Sequence, residues 1–162
     1  MISGKIQDAL NGQINAEMYS AYLYLSMSAH FHSTNMTGFA GWMKSQGQEE
    51  LSHAMKLYEY VNERGGRVTL SRVEAPPQTW ASPLAALEDA YRHEQQNTGQ
   101  INGLLLLATK EGDHATAIFL QWFVTEQVEE ESTANRLVER LRLVGDSVPG
   151  LLLMDRELAQ RV

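Results

Sequence analysis

Four long stretches of the chain repeat apolar residues at alternating steps of three and four, and a glutamate interrupts each repeat near its middle. The repeat is typical of helices that bury one face, and the interrupting residues are Glu17, Glu50, Glu94 and Glu130. A buried carboxylate costs several kcal/mol unless it is paired or binds a metal. Four of them would exceed the net stability of most domains, about 5–15 kcal/mol. The pattern therefore predicts that cations are bound inside the fold.

An imidazole and an amide accompany these carboxylates. His53 follows Glu50 by three residues and Gln127 precedes Glu130 by three, so each pair shares a helix face. Known di-iron bundles carry a Glu-x-x-His motif on each of two helices. Here the second motif is Gln127-x-x-Glu130 and lacks the histidine. We therefore expect two divalent ions, of which the second is held more weakly.

The ligand types also indicate which ion binds and how. The chain has no cysteine, so the metal must be held by oxygen and imidazole nitrogen, which suit iron or manganese. We expect Glu50 and Glu130 to bridge the two ions. Glu17 and His53 would complete the first ion, and Glu94 would complete the second.

Tyr24 lies two helical turns after Glu17 on the same face. Its hydroxyl group can therefore face the metals, where it would donate a hydrogen bond or an electron. The alternative is that Tyr24 only packs in the core, with its hydroxyl group satisfied elsewhere.

A third cation site is a further hypothesis. Residues 126–131 contain four glutamates, and like charges at this spacing destabilise a helix. The predicted third site combines Glu49, which precedes Glu50, with Glu126, Glu129 and Glu130. The alternative is an ordinary solvated helix face.

The helices that must position these residues can be located from the residues that start or end helices. Helices are predicted over 4–33, 40–65, 82–111 and 114–144, with a short fifth helix over 149–160. Ser82-Pro83 is a strong helix start and Gly65-Gly66 a strong stop. The repeat in the third stretch predicts that Tyr91, Thr98 and Leu105 face the core.

Residues 67–81, which include Pro76-Pro77, form the predicted connection between the second and third helices. Fifteen extended residues reach roughly 50 Å, enough to run the length of a bundle. We expect an all-α protein: one domain over 1–162, folded as a four-helix bundle with this long crossover and a short C-terminal fifth helix.

Composition and net charge indicate which binding partners and which cellular compartment to expect. The net charge of −7 over 162 residues argues against nucleic acid and anionic membrane as partners. The longest apolar run, Leu104 to Ala108, is too short to span a bilayer. The first eight residues have no signal-peptide pattern, so we expect a cytoplasmic protein.

The chain resembles the non-haem bacterial and archaeal ferritins. The matching segments are NAE at 15–17, YSAYLYL at 19–25, EELSHA at 49–54, Glu94, and FLQWFVTEQVEEE at 119–131. The resemblance implies a hollow shell of twenty-four identical subunits that oxidises Fe²⁺ with O₂ or H₂O₂ and stores ferric mineral. Carried over by motif, the paired iron site is Glu17, Glu50, His53, Glu94, Gln127 and Glu130. The third site is Glu49, Glu126, Glu129 and Glu130, and Tyr24 is the nearby tyrosine.

Three other readings stay open at this point. Bacterioferritin is similar, but it has a Glu-x-x-His in its fourth helix and a haem-binding methionine where this chain has Ser52; both differences argue against haem. Another di-iron enzyme is the second reading. The absence of cysteine argues against a rubrerythrin-like peroxidase, because a rubredoxin module needs cysteines to bind its iron. An organic-substrate oxidase needs no cysteine and stays possible. A non-enzymatic cation-binding or structural bundle is the third.

Overall fold

The computed structural model describes residues 1–160, which form five helices and no strand. The helices are α1 (Gly4–Ser33), α2 (Thr37–Glu63), α3 (Pro83–Lys110), α4 (His114–Val144) and α5 (Val148–Ala159). The predicted all-α architecture is confirmed. Among the described helices, none is both long enough and apolar enough to cross a membrane.

The helix ends follow the expected capping chemistry. The Ser82 side chain accepts a hydrogen bond from the Ala85 backbone N–H at 3.0 Å, and Pro83 occupies the first turn of α3. At the other end of the crossover, Gly65 has φ +68°, a conformation that glycine adopts without steric cost. The predicted start and stop are therefore where the structure has them.

One helix start was predicted three residues late. α2 begins at Thr37, not at residue 40, and Gly38 lies inside its first turn. Glycine is needed there because α5 packs directly against this turn: a Cβ on Gly38 would lie 1.7 Å from the Asp155 carbonyl oxygen. The Asp155 side chain also accepts a hydrogen bond from the Phe39 backbone N–H at 2.9 Å.

The buried apolar side chains form two clusters, one toward each end of the bundle. The start of α3, at Ala86 and Leu87, belongs to the cluster that contains Phe31 and Phe39 beside the first helix turn. The end of α2, at Val61, belongs to the other cluster. The connection between α2 and α3 therefore runs the length of the bundle, as predicted, and the two helices are parallel.

Side chains of α1 hold this crossover in place. Asn11 donates to the Arg67 carbonyl at 3.0 Å and accepts from the Thr69 backbone N–H at 3.2 Å. Asn15 and Ser26 donate to carbonyls further along the connection, at 3.1 and 2.5 Å. Because these α1 residues satisfy backbone groups of the extended chain, the crossover has a fixed path without secondary structure of its own.

The predicted core face of α3 needs a correction. Tyr91, Thr98 and Leu105 are only half-buried, whereas Ala90, Asn97 and Leu104 are buried, together with Leu87, Glu94 and Ile101, which were predicted correctly. The small side chain of Ala90 allows close helix packing, and larger residues cover the edge of the interface.

Candidate metal centre

The layer between the two apolar clusters is polar and closed to solvent. Each of the four long helices contributes to it near its middle. Six of the predicted ligands lie there, each at most 7% exposed: Glu17, Glu50, His53, Glu94, Gln127 and Glu130. The repeat of three and four therefore placed these side chains correctly inside the bundle.

Two groups of metal-ligating side chains meet in this layer, and within each group the ligand atoms lie within 4.8 Å of one another. The first group is Glu17, Glu50 and His53; the second is Glu50, Glu94 and Glu130. Glu50 belongs to both, in the position of a bridging carboxylate. His53 Nδ1 lies 3.4 Å from a Glu50 carboxylate oxygen.

Glu130 is absent from the first group, and its predicted role as a bridge between the same two ions as Glu50 stays a prediction. It joins a third group instead, formed by Glu49, His53, Glu126 and Glu130. Both groups that contain Glu130 have their ligand atoms within 4.8 Å of one another. Glu130 is therefore shared by the second and third groups.

Among the predicted glutamate and histidine ligands, Glu129 is the one that none of these groups of described residues includes. It is exposed and faces an open groove along α4. Successive side chains of a helix are rotated by about 100° around its axis, so Glu129 and its neighbour Glu130 point in different directions and do not converge. His53, not predicted for the third site, takes part because it lies four residues after Glu49.

The comparisons with known proteins agree with this geometry. The model of the ferritin-like domain family matches residues 7–144. The chain belongs to the ferritin family. It is 43% identical to a bacterial non-heme ferritin of Bacteroides fragilis over 99% of this chain and 100% of that one. It is 38% identical to one of Staphylococcus saprophyticus over 99% of this chain and 96% of that one.

A solved structure is similar over the whole length. It is described as a novel open-pore ferritin from the hyperthermophilic archaeon Archaeoglobus fulgidus, and it is 55% identical to this ferritin chain. The two chains match over 100% of each, with a TM-score of 0.99. The fold of this ferritin, including the crossover and the short fifth helix, is therefore that of the family.

Three of the four buried glutamates accept hydrogen bonds from neighbouring side chains. Gln13 donates to Glu17 at 2.8 Å, Tyr24 donates to Glu94 at 2.5 Å, and Gln46 donates to Glu130 at 2.9 Å. Glu50 differs: it is 0% exposed, and among residues 1–160 neither of its carboxylate oxygens has a hydrogen-bond partner. Since burial of an unpartnered carboxylate is costly, Glu50 is the residue most in need of a cation.

Tyr24 is buried beside these groups, and its hydroxyl group is directed at Glu94 of the second group. Burial, followed by the negative charges of Glu94 and Glu50, raises the pKa of Tyr24 well above its usual value. The phenol therefore stays protonated and donates its hydrogen bond to Glu94.

The sequence analysis predicted Gln127 but missed two other amides of this layer, Gln13 and Asn97. Gln13 donates to the Asn97 side-chain oxygen at 2.6 Å, and Asn97 donates to the Gln127 side-chain oxygen at 3.3 Å. Gln127 in turn donates to Glu94 at 3.2 Å. Gln127 therefore presents its amide nitrogen to Glu94, while Asn97 occupies its carbonyl oxygen. The available signal was helical spacing, since Gln13 precedes Glu17 by four residues and Asn97 follows Glu94 by three.

Crowding of acids in the polar layer changes their pKa values. Burial is the largest cause in each case: it raises the pKa of Glu94 to about 7 and that of Glu130 to about 8. The pKa of Glu50 is raised well above its usual value by burial and by the charges of Glu94 and Glu17. Without metal, this ferritin therefore holds part of the site protonated near neutral pH.

The stability of the metal-free protein should consequently fall as pH rises from about 5 to 8. These carboxyl groups bind protons more tightly in the folded chain than in the unfolded one, so each proton lost over this range costs folding free energy, on the order of a few kcal/mol in total. Denaturant unfolding in the presence of a chelator, at pH values across this range, measures the effect.

A double variant, Glu94→Gln with Glu130→Gln, is the control for the source of this pH dependence. Burial lowers the pKa of His93, which gives the opposite slope. The double variant should therefore lose the part of the decrease that comes from Glu94 and Glu130, and retain the contributions of Glu50 and His93. A metal-free wild type that becomes more stable toward pH 8 would contradict the assignment.

Proposed function

We propose that this ferritin chain stores iron and oxidises it: Fe²⁺ enters the buried layer, loses an electron to O₂ or H₂O₂ at the paired site, and is stored as ferric mineral. The observation that carries this proposal is Glu50. Its carboxylate is 0% exposed, without a hydrogen-bond partner, and common to two groups of ligands from all four long helices. Two divalent cations in those groups would satisfy it.

Each ligand has a specific role in the proposed reaction. Glu17 and His53 hold the first Fe²⁺, Glu94 and Glu130 hold the second, and Glu50 contacts both. Two adjacent ions supply two electrons at once, so that two Fe²⁺, one O₂ and two protons give two Fe³⁺ and one H₂O₂. The oxygen-rich ligand set favours this direction because carboxylates stabilise the more highly charged ion.

Neighbouring side chains orient these ligands. Tyr24 holds Glu94 through its hydroxyl group, and Gln127 donates to the same carboxylate. Removal of such hydrogen-bond partners typically costs 10–100-fold in metal affinity or activity. Gln127 therefore contributes to catalysis by orienting Glu94. Electron donation by Tyr24 stays a prediction.

The third group supports a further iron position beside the pair. Glu49, Glu126, His53 and Glu130 would hold an ion there, and exposed Glu129 would add negative charge nearby. Because His53 and Glu130 also belong to the paired site, an ion can pass between the positions with little rearrangement.

We further propose that twenty-four copies of this single-domain chain assemble into a hollow shell in the cytoplasm, without haem. The full-length similarity to the A. fulgidus ferritin supports a cage. The names of the curated relatives, which describe non-heme ferritins, support the absence of haem.

Iron oxidation by a Glu17 variant tests the catalytic claim. Glu17→Gln keeps the size of the side chain and removes the charge that holds the first ion, so the initial rate of ferric absorbance under air should fall by more than about tenfold. Exposed Glu63, near the end of α2, provides the matched control: Glu63→Gln should oxidise iron at the wild-type rate. Equal initial rates for Glu17→Gln and wild type would remove the catalytic claim.

Solution mass separates storage from the other readings. A ferritin should elute with the mass of twenty-four 18.2 kDa chains and oxidise iron progressively beyond the capacity of its binding sites. An organic-substrate oxidase would be a small oligomer that stops after its sites are filled, and a structural bundle would bind metal without oxidising it.

A further inference from the structure

Glu130 is shared between two cation positions of unequal depth. One is the buried group with Glu50 and Glu94; the other includes Glu49, which is exposed, and Glu126, which is half-exposed. The Glu130 carboxylate is within reach of both groups, and the rotation of its side chain decides how closely it approaches each of them. Whatever fixes that orientation therefore influences where the metal resides.

Gln46 is the side chain that fixes it. Its amide donates to the Glu130 carboxylate at 2.9 Å, and within residues 1–160 this is the one side-chain hydrogen bond that Glu130 makes. Gln46 is 8% exposed and precedes Glu50 by four residues, so it lies on the same inner face of α2. Glu49, one residue before Glu50, lies on a neighbouring face that is open to solvent.

The geometry points to Gln46 as a positioning residue: we propose that its amide holds Glu130 toward the buried pair and so sets how metal divides between the second and third positions. The inference rests on the proposed function, since it concerns the same cation positions. Gln46 belongs to none of the three ligand groups. It acts through Glu130, and its hydrogen bond to a carboxylate is of the stronger, charge-assisted type.

Removal of the amide has a directional consequence. Without it, the Glu130 carboxylate is free to turn toward Glu49 and Glu126, where a cation is also attracted by those two acids. The second position then loses one of its carboxylates, while the third position gains one. The first position, formed by Glu17, Glu50 and His53, lacks Glu130 and should keep its affinity.

The test compares metal occupancy in the intact assembly. Gln46→Met replaces the amide by an unbranched side chain of similar size that cannot donate a hydrogen bond. Crystals of wild type and variant are equilibrated with sub-saturating Zn²⁺, and the anomalous signal gives the occupancy of each position. The ratio of second-position to third-position occupancy should fall by about tenfold in the variant, the scale typical of lost partners to a metal ligand. The first position should be unchanged.

Two further variants separate positioning from a general structural role. Gln95→Met changes an exposed glutamine of α3 in the same way and should leave the ratio as in wild type. Gln46→Ala leaves space where Met fills it, and it should shift the ratio in the same direction. A change in thermal stability with an unaltered ratio in both Gln46 variants would overturn the inference.

Failure of the inference is distinguishable from failure of the proposed function. Wild-type protein that binds no Zn²⁺ in the polar layer and oxidises no Fe²⁺ would refute the function itself. Wild type that fills all three positions, beside Gln46 variants with the same distribution, would refute only the role of Gln46.

Discussion

Replacement of Glu50 by methionine should have opposite effects on the metal-free and metal-loaded protein. In the presence of a chelator the variant should be more stable than wild type, by about 1–3 kcal/mol. Under air, its initial rate of iron oxidation should fall by far more than tenfold, since both ions of the proposed pair lose a ligand. No other single residue of the site is expected to show such opposed changes.

The reason lies in the surroundings of Glu50. Glu17, Glu94 and Glu130 each accept a hydrogen bond from an amide or a hydroxyl group, whereas neither oxygen of Glu50 has a hydrogen-bond partner in the described part of the chain. Burial raises its pKa well above the usual value, so at neutral pH the metal-free chain either protonates this residue or holds a buried charge without a hydrogen bond. Methionine fills a similar volume without polar atoms to satisfy.

Thermal or denaturant unfolding with a chelator, beside the ferric absorbance assay, measures both halves of this prediction. Glu63→Met is the matched control on the same helix: since Glu63 is exposed, its replacement should change stability by no more than about 0.5 kcal/mol and leave oxidation unaltered. A Glu50→Met protein that is less stable than wild type without metal would mean that the carboxylate has a structural partner.

Gly38→Ala should destabilise the chain by about 2–4 kcal/mol, the largest effect on folding that we expect from adding one methyl group. The new Cβ would lie 1.7 Å from the Asp155 carbonyl oxygen and 2.6 Å from its carbon. These are backbone atoms of α5, which cannot rotate away as a flexible side chain would. The helix must move as a whole, and the hydrogen bond between Asp155 and the Phe39 N–H is then lost.

Gly99→Ala provides the matched control, because no atom lies within 4 Å of a Cβ at that helical position. There the substitution should stabilise the chain by about 0.5–1 kcal/mol, since alanine favours helix over glycine. Denaturant unfolding of both variants gives the comparison. Equal stability of Gly38→Ala and wild type would show that α5 is free to shift away from α2.

The helices and the buried glutamates were predictable because one repeat of three and four fixes both the period and the inward face. A glutamate in place of leucine is visible at that level, as at Glu17 and Glu94. The start of α2 was harder to predict from the sequence, because glycine usually disfavours a helix. The reason for Gly38 is visible only in the structure, where α5 packs directly against it. That contact joins residues that are far apart in sequence.

The amides that orient the carboxylates were not predictable for a different reason. Glutamine and asparagine, as at Gln13, Gln46 and Asn97, are residue types usually found at protein surfaces. No sequence pattern indicates which group their amides will contact. Whether an amide meets a carboxylate depends on the rotation of each helix to within a fraction of a residue, and α3 is rotated from its predicted face. In the same way, the rotation of α4 about its axis determines that Glu129 is exposed while Glu130 is buried.

The division of the core into two apolar clusters has a consequence for how the chain unfolds. A polar layer separates the clusters, and its carboxyl groups repel one another wherever they ionise, so in the metal-free chain we expect the junction between the two ends to be weaker than either cluster. Ions that bind ligands from all four helices convert this weak junction into a cross-link. Hydrogen exchange at the two ends should therefore become cooperative only when the proposed ions are bound, and the mechanical unity of the chain would then depend on bound metal.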